Sequence, residues 1–217
     1  MEVISVNVGL PRQVHWKGKV ITTAIFKEPV AGAVRVGALN LDGDRQADPS
    51  VHGGPTKAVY AYPAEHYDFW RRELPETNMA WGAFGENLTT RGLSEEAVHI
   101  GDRFRVGITE LVVTEPRMPC YKLRIRFGRD DILKRFLDSG RTGFYFGVSR
   151  EGEVQAGDPI VPLEEDPGRL RVADVTRLYT SDKDNRDLLR RAARLPSLPE
   201  GWRSYFQHQL DKRGVRH

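Results

Sequence analysis

The chain has 217 residues, of which 39% are hydrophobic and 29% charged, with 33 Lys and Arg against 30 Asp and Glu. This composition suits one globular domain, or a large domain with a small appendage, and excludes a disordered chain. There is no apolar run of about 18 residues and no basic start ahead of an apolar stretch, so neither a transmembrane helix nor a secretory signal is expected. The single cysteine, Cys120, excludes an internal disulfide framework and a multi-cysteine zinc site. A reducing cytoplasm is the expected compartment.

Taken in chain order, β-branched and aromatic runs bounded by Gly, Pro, Asp or Asn predict strands at Val3–Val8, Val20–Phe26, Val34–Leu39 and Ala58–Tyr62. Pro63 then opens a helical pattern carrying Ala64, Tyr67 and Trp70 on one face. Strands follow at Phe104–Val106 and Leu111–Thr114, the first of them entered through the Gly101-Asp102 turn. Asp130 and Asp131 precede a second helix with Ile132, Leu133, Phe136 and Leu137 in one stripe. Strands return at Phe144–Val148 and, after Gly157-Asp158, at Pro159–Leu163. Many short strands joined by glycine-rich turns predict a mainly β (α+β) fold built as a barrel or folded-over sheet.

The pattern changes near residue 165, where Glu164 to Gly168 reads as a linker. Beyond it come three short helices: Val172, Val175 and Leu178 mark the first and Leu188, Leu189 and Ala192 the second. A capping-box spacing of Ser197 and Glu200 opens the third. The expected division is therefore a β domain over 1–165 and a three-helix unit over 166–217. The helical unit is too small to bury much core alone and must pack on the barrel or on a second subunit. The basic excess lies in this tail: Gly168 to His217 holds 12 basic and 6 acidic residues, or +6, leaving 21 and 24, or −3, for residues 1 to 167. Such a surface is either a solvated helical face or a docking site for an acidic partner or nucleic acid.

Four segments could carry chemistry. In Glu115-Pro116-Arg117-Met118-Pro119-Cys120-Tyr121-Lys122-Leu123, two prolines stiffen the loop. Arg117 and Lys122 would there favour a Cys120 thiolate. That sulfur reads as a nucleophile, a redox centre, a soft metal ligand or a small buried hydrophobe. The polar stretch from Gly43 to Lys57 contains Arg45, His52, the Gly53-Gly54 pair and Lys57, and suits an anion approached closely by backbone, although P-loop spacing is absent. Around Glu86, the Trp81 to Thr89 turn presents Asn87, which can both donate and accept hydrogen bonds, or is simply a structural turn. Gly140-Arg141-Thr142-Gly143 offers a guanidinium and a hydroxyl to a phosphate, or ends a helix. Lys17, Lys19 and Lys27 bracket a strand and read first as solvated lysines, with Lys27 kept as a further anion candidate. Histidine-built zinc spacing, a nucleophile elbow and a dinucleotide fingerprint are all missing.

In this order, GDRQADPSVHGGPTKAVYAYPAEHYDFW, WGAFGENLT, VHIGDRFRVG, EPRMPCYKL and GRTGFYFGV resemble the MOSC domain family (molybdenum cofactor sulfurase C-terminal domain). The resemblance is to its stand-alone bacterial YiiM type, with a three-helix tail. It implies a MOSC β-barrel with short peripheral helices and a C-terminal three-helix appendage. It also implies a molybdenum cofactor (Mo-molybdopterin), with Cys120 supplying the protein thiolate to the metal. Arg117, Lys57, Arg45, Asn87, Arg141, Thr142 and Lys27 are then the candidates to hold that cofactor, and His52 is a candidate proton donor. The implied activity is reduction of N-hydroxylated compounds, such as 6-hydroxylaminopurine base analogues, to amines. No flavin, haem or iron–sulfur motif is visible, so electrons are expected from an external flavoprotein-type donor. Nor is pyridoxal phosphate expected. A homodimer is open; membrane binding is not expected, and nucleic acid is disfavoured by the acidic main body. A cofactor carrier or a persulfide-sulfur carrier would use the same cysteine, and a nucleic-acid-binding module would use the tail instead.

Overall fold

The computed structural model describes residues 1–48 and 53–214. The strands are β1 (Glu2–Val8), β2 (Arg12–Trp16), β3 (Lys19–Thr23), β4 (Glu28–Pro29), β5 (Val34–Val36), β6 (Val59–Pro63), β7 (Leu88–Arg91), β8 (Arg103–Val106), β9 (Thr109–Pro116), β10 (Phe144–Arg150), β11 (Gly152–Val154) and β12 (Ile160–Glu164). The helices are α1 (Glu65–Glu73), α2 (Lys122–Phe127), α3 (Ile132–Asp138), α4 (Val172–Thr180), α5 (Arg186–Arg194) and α6 (Glu200–Lys212).

The fold is α+β. An eight-stranded sheet runs β12-β8-β9-β10-β6-β7-β1-β4 and is antiparallel except between β6 and β7, which α1 connects as a crossover. Its two ends meet. Val3 N donates to Asp158 O at 2.9 Å, Ile160 N donates to Met1 O at 2.9 Å, and Glu2 bridges Pro159. The first strand thus seals against the last, forming a barrel whose free edge is removed by closure.

Burial follows the alternation of the strands. Val59 and Ala61, Leu111 and Val113, and Phe144 and Phe146 fill the interior, joined by Val3 and Val6, which a register shift between Val3 and Ser5 brings to the same side. Strand β6 is buried at all five positions because its other face is covered too. There Tyr60 and Tyr62 join Tyr67 and Trp70 of α1, Phe84, and Phe136 of α3 in a second, largely aromatic cluster. The C-terminal helices pack on the barrel: Val172, Val175, Leu189, Phe206 and Leu210 belong to the same apolar cluster as its interior.

Several elements differ from their expected form. The hairpin of β2 and β3 turns at Lys17 and Gly18, both at positive φ (48° and 76°). It is largely exposed, so β2 lacks the apolar alternation that would mark it. β3 stops at Thr23 instead of running on to Phe26. β4, β7, β11 and α2 were not predicted; they are too short or too polar to stand out from loops. The segment read as a linker, Glu164 to Gly168, connects β12 to α4 and is pinned at its centre. Asp166 N donates to Asp102 Oδ1 at 2.9 Å, and Ser197 Oγ donates to Asp166 Oδ2 at 2.5 Å, clamping the helical unit to the barrel. That use of Ser197 also replaces the expected capping box: α6 starts at Glu200, with Pro199 at the cap position and no side-chain cap. Among the described residues, no helix is long and apolar enough to cross a membrane.

Candidate cofactor site

Cys120 stands on the loop between β9 and α2. The loop is tied down at both ends. Arg117 N donates to Gly143 O at 3.1 Å, and Leu123 N donates to Cys120 O at 2.9 Å while the Leu123 side chain is fully buried. The first tie requires glycine at 143. Its φ is +65°, and a Cβ there would lie 2.4 Å from Ala61 O. Lys57 is placed by the 3₁₀ turn Pro55–Lys57, held by a hydrogen bond from Thr114 Oγ1 to Thr56 O at 2.6 Å.

These segments line an open cavity of about 90 Å³. Lys27, Arg45, Lys57, Arg117 and Lys122 line it together with Cys120, and among the described residues no carboxylate does. The nearest counter-charge is Asp44, which accepts from Lys27 Nζ at 2.5 Å, from Gly9 N at 2.9 Å and from Asn87 Nδ2 at 2.9 Å. Burial lowers the pKa of Lys27, and Asp44 opposes that shift. Arg117 is 6% exposed. Its guanidinium lies 5.1 Å from the centroid of the Tyr60 ring and 5.2 Å from that of Phe136, and its Nη1 has no hydrogen-bond partner. Burial by itself would lower the Arg117 pKa; the phenols of Tyr60 and Tyr145 and the Cys120 thiol outweigh it, and the net direction is upward. Burial also raises the pKa of Tyr145, against the pull of Arg117, so this phenol keeps its proton at neutral pH.

A buried cation with an orphaned N–H, in a cavity whose described lining is cationic, suits an anion. Arg117→Met is accordingly expected to weaken inorganic phosphate binding by roughly tenfold or more. Its unfolding free energy should stay within about 1 kcal/mol of wild type, because an apolar group of similar length replaces a buried charge. Calorimetric titration and urea denaturation check both; lost folding with intact phosphate binding would make the cation structural.

The cavity brings together Cys120, Arg117, Lys57, Arg45, Lys27 and Asn87. Asn87 serves as a strut within it, since its Oδ1 accepts from Tyr60 N at 3.1 Å and its Nδ2 is given to Asp44. Arg141 and Thr142, expected at the same anion, lie outside the cavity. The Arg141 guanidinium stacks on Phe69 at 4.1 Å and donates to Ser139 O. Thr142 is fully buried, and its carbonyl accepts the Tyr60 hydroxyl at 2.8 Å. Both hold the wall from behind. His52 lies outside the described residues. Tyr60 and Tyr145 line the cavity without having been singled out in the sequence. They are register partners across β6 and β10, with ring centroids 5.3 Å apart. Only that pairing puts residues 85 positions apart side by side.

The MOSC domain profile matches residues 48–161, and a YiiM-like 3-alpha helix domain matches residues 172–213. The chain belongs to the MOSC family, in its YiiM-type form. It is similar to the YflK protein of Bacillus subtilis (strain 168), at 40% identity over 97% of this chain and 95% of that one. The crystal structure of YiiM from Geobacillus stearothermophilus superposes with a TM-score of 0.81 and 34% identity, covering 96% of this chain and 98% of the other. A Gibberella moniliformis (strain M3125 / FGSC 7600) protein named "Reductase" is 38% identical over 82% of this chain, which corresponds to 32% of its own length. A MOSC chain is associated with the molybdenum cofactor, and the donor set here fits that group. Among the described residues no three His, Cys, Asp or Glu side chains gather to cage a metal, and Cys120 is the soft donor that lines the cavity. The cofactor's phosphate matches the cation-lined cavity.

Proposed function

We propose that this protein is a molybdenum-cofactor-dependent reductase of N-hydroxylated compounds, including hydroxylamino-purine bases, supplied with electrons by a separate flavoprotein-type donor. The observation that carries the reading is the position of Cys120. Cys120 lines both the cation-lined cavity and a second hollow walled in part by Glu115, Met118 and Trp202. Cofactor and substrate would therefore share one sulfur between two adjoining spaces. The reductase name of the fungal relative supports the reaction type.

The balanced reaction is R–NH–OH plus two electrons and two protons giving R–NH2 and water. When bound, the cofactor supplies the two-electron centre at which the substrate N–O bond is cleaved. Cys120 would hold that centre through a soft donor. Arg117, with Lys57, Arg45, Lys122 and Lys27 around it, would hold the cofactor's anionic end. Tyr145 borders both hollows and keeps its proton at Oη, where it can donate a hydrogen bond toward the departing oxygen.

The test is turnover. Protein purified from a host that makes the cofactor should convert 6-hydroxylaminopurine to adenine with a reduced dye as donor, one adenine for each electron pair. Full molybdenum occupancy without amine formation would overturn the reductase reading in favour of a cofactor carrier.

A further inference from the structure

The second hollow beside Cys120 measures about 560 Å³ and shares Lys57, Cys120 and Tyr145 with the cation-lined cavity. Its remaining wall is different in kind: Glu115 and Met118 come from the barrel side, and Gly201 and Trp202 from α6. The helical unit, 80 residues further along the chain, therefore forms part of the space that faces the reactive sulfur.

Two features of this wall call for a ligand. Glu115 is 6% exposed, and among the described residues its hydrogen-bond donors are both neutral: Thr56 Oγ1 at 3.0 Å and Trp202 Nε1 at 2.9 Å. Each of its oxygens accepts one of these two bonds, and a carboxylate oxygen can accept a second. Trp202, for its part, is fixed in place. Its ring stacks on Phe206 at 5.5 Å and meets Tyr179 edge-on at 5.8 Å. A rigid aromatic surface beside a buried acceptor is how a flat, N–H-bearing ring is recognised.

We propose that Glu115 and Trp202 form the specificity-determining wall for the substrate, with Glu115 accepting an N–H from a flat nitrogen heterocycle whose ring packs against Trp202 and Met118. This rests on the reductase reading, and it assigns the three-helix unit a direct part in substrate choice. Neither residue is placed on the reacting atoms; both act by positioning. Acting this way, they should govern KM for ring-bearing substrates and leave kcat largely alone.

The experiment compares cofactor-loaded wild type with Glu115→Gln, Trp202→Leu and Gly201→Leu. A Cβ at Gly201 meets no atom within 4 Å, so a side chain there narrows the hollow without disturbing the fold. Kinetics are followed with 6-hydroxylaminopurine and with hydroxylamine, which has no ring. Adenine binding and molybdenum content are measured on the same preparations. The ratio of KM for the purine to KM for hydroxylamine should rise about tenfold in each variant, with kcat within about twofold and molybdenum as in wild type. Adenine should bind about tenfold more weakly. An unchanged KM ratio and unchanged adenine affinity in Glu115→Gln and Gly201→Leu would overturn the proposal. So would molybdenum loss with intact adenine binding, which would put Glu115 on the cofactor. Absence of turnover by wild type would sink the reductase reading instead, and adenine affinity would still decide the subsite.

Discussion

Cys120→Ala is expected to reduce turnover of an N-hydroxylated purine by on the order of a thousandfold or more, because no other described side chain offers a soft anionic donor at that position. The expected cost in stability is small, under about 1 kcal/mol, since Cys120 belongs to neither apolar cluster and its loop is held by Arg117, Gly143 and Leu123. Molybdenum retained after purification should fall at least tenfold, as for loss of a group that fixes a metal. Cys120→Ser should not restore it, because a hard hydroxyl is a poor substitute for thiolate on a thiophilic metal. Elemental analysis beside the turnover assay reads both quantities. Equal molybdenum in wild type and Cys120→Ala would remove Cys120 as an anchoring ligand, and retained turnover would remove it from the chemistry.

The second large effect is on stability. Asp44→Ala is expected to cost about 3 to 5 kcal/mol, the range for removing one partner of a buried pair. It would leave the Lys27 ammonium, the Gly9 amide and one Asn87 donor without their acceptor. Adding Lys27→Met to that variant should recover much of the loss, because an apolar pair often replaces a buried ion pair at little cost. Urea denaturation of the single and double variants measures this. A loss below about 1 kcal/mol in Asp44→Ala would show that the pair is solvated. The same pair sets a pH dependence. The folded-state pKa of Lys27 lies below its ordinary 10.5, chiefly through burial. Between the two values the unfolded chain binds more protons than the folded one, so this group's contribution makes stability rise with pH over that window. Without Asp44 the lysine falls further and the window should widen toward lower pH.

The local parts of the site were legible because they are contiguous. Arg117, Cys120 and Lys122 lie within six residues, and the stiffness of their loop follows from two prolines. Arg45 and Lys57 sit in one polar stretch whose glycines suit an anion. Arg141 and Thr142 misled because their type suits phosphate while their direction is set by α3 and Phe69, which the sequence does not display. Tyr145, Trp202 and Glu115 escaped notice for the complementary reason. Each is an ordinary core or helix residue in its own segment, and each acquires a role only from a neighbour far along the chain.

Residue chemistry and short-range pattern alone determined that this protein has one thiol on a rigid basic loop, a β-rich body and a helical tail. These depend on side-chain type, proline and glycine geometry, and periodicities of two and 3.6 residues. Tertiary structure decided which of the cations share a cavity, that strand β1 closes on β12, and that the tail walls the second hollow beside Cys120. Those outcomes are contacts between distant segments, selected by burial of the two apolar clusters, and local pattern carries no record of which segments will meet.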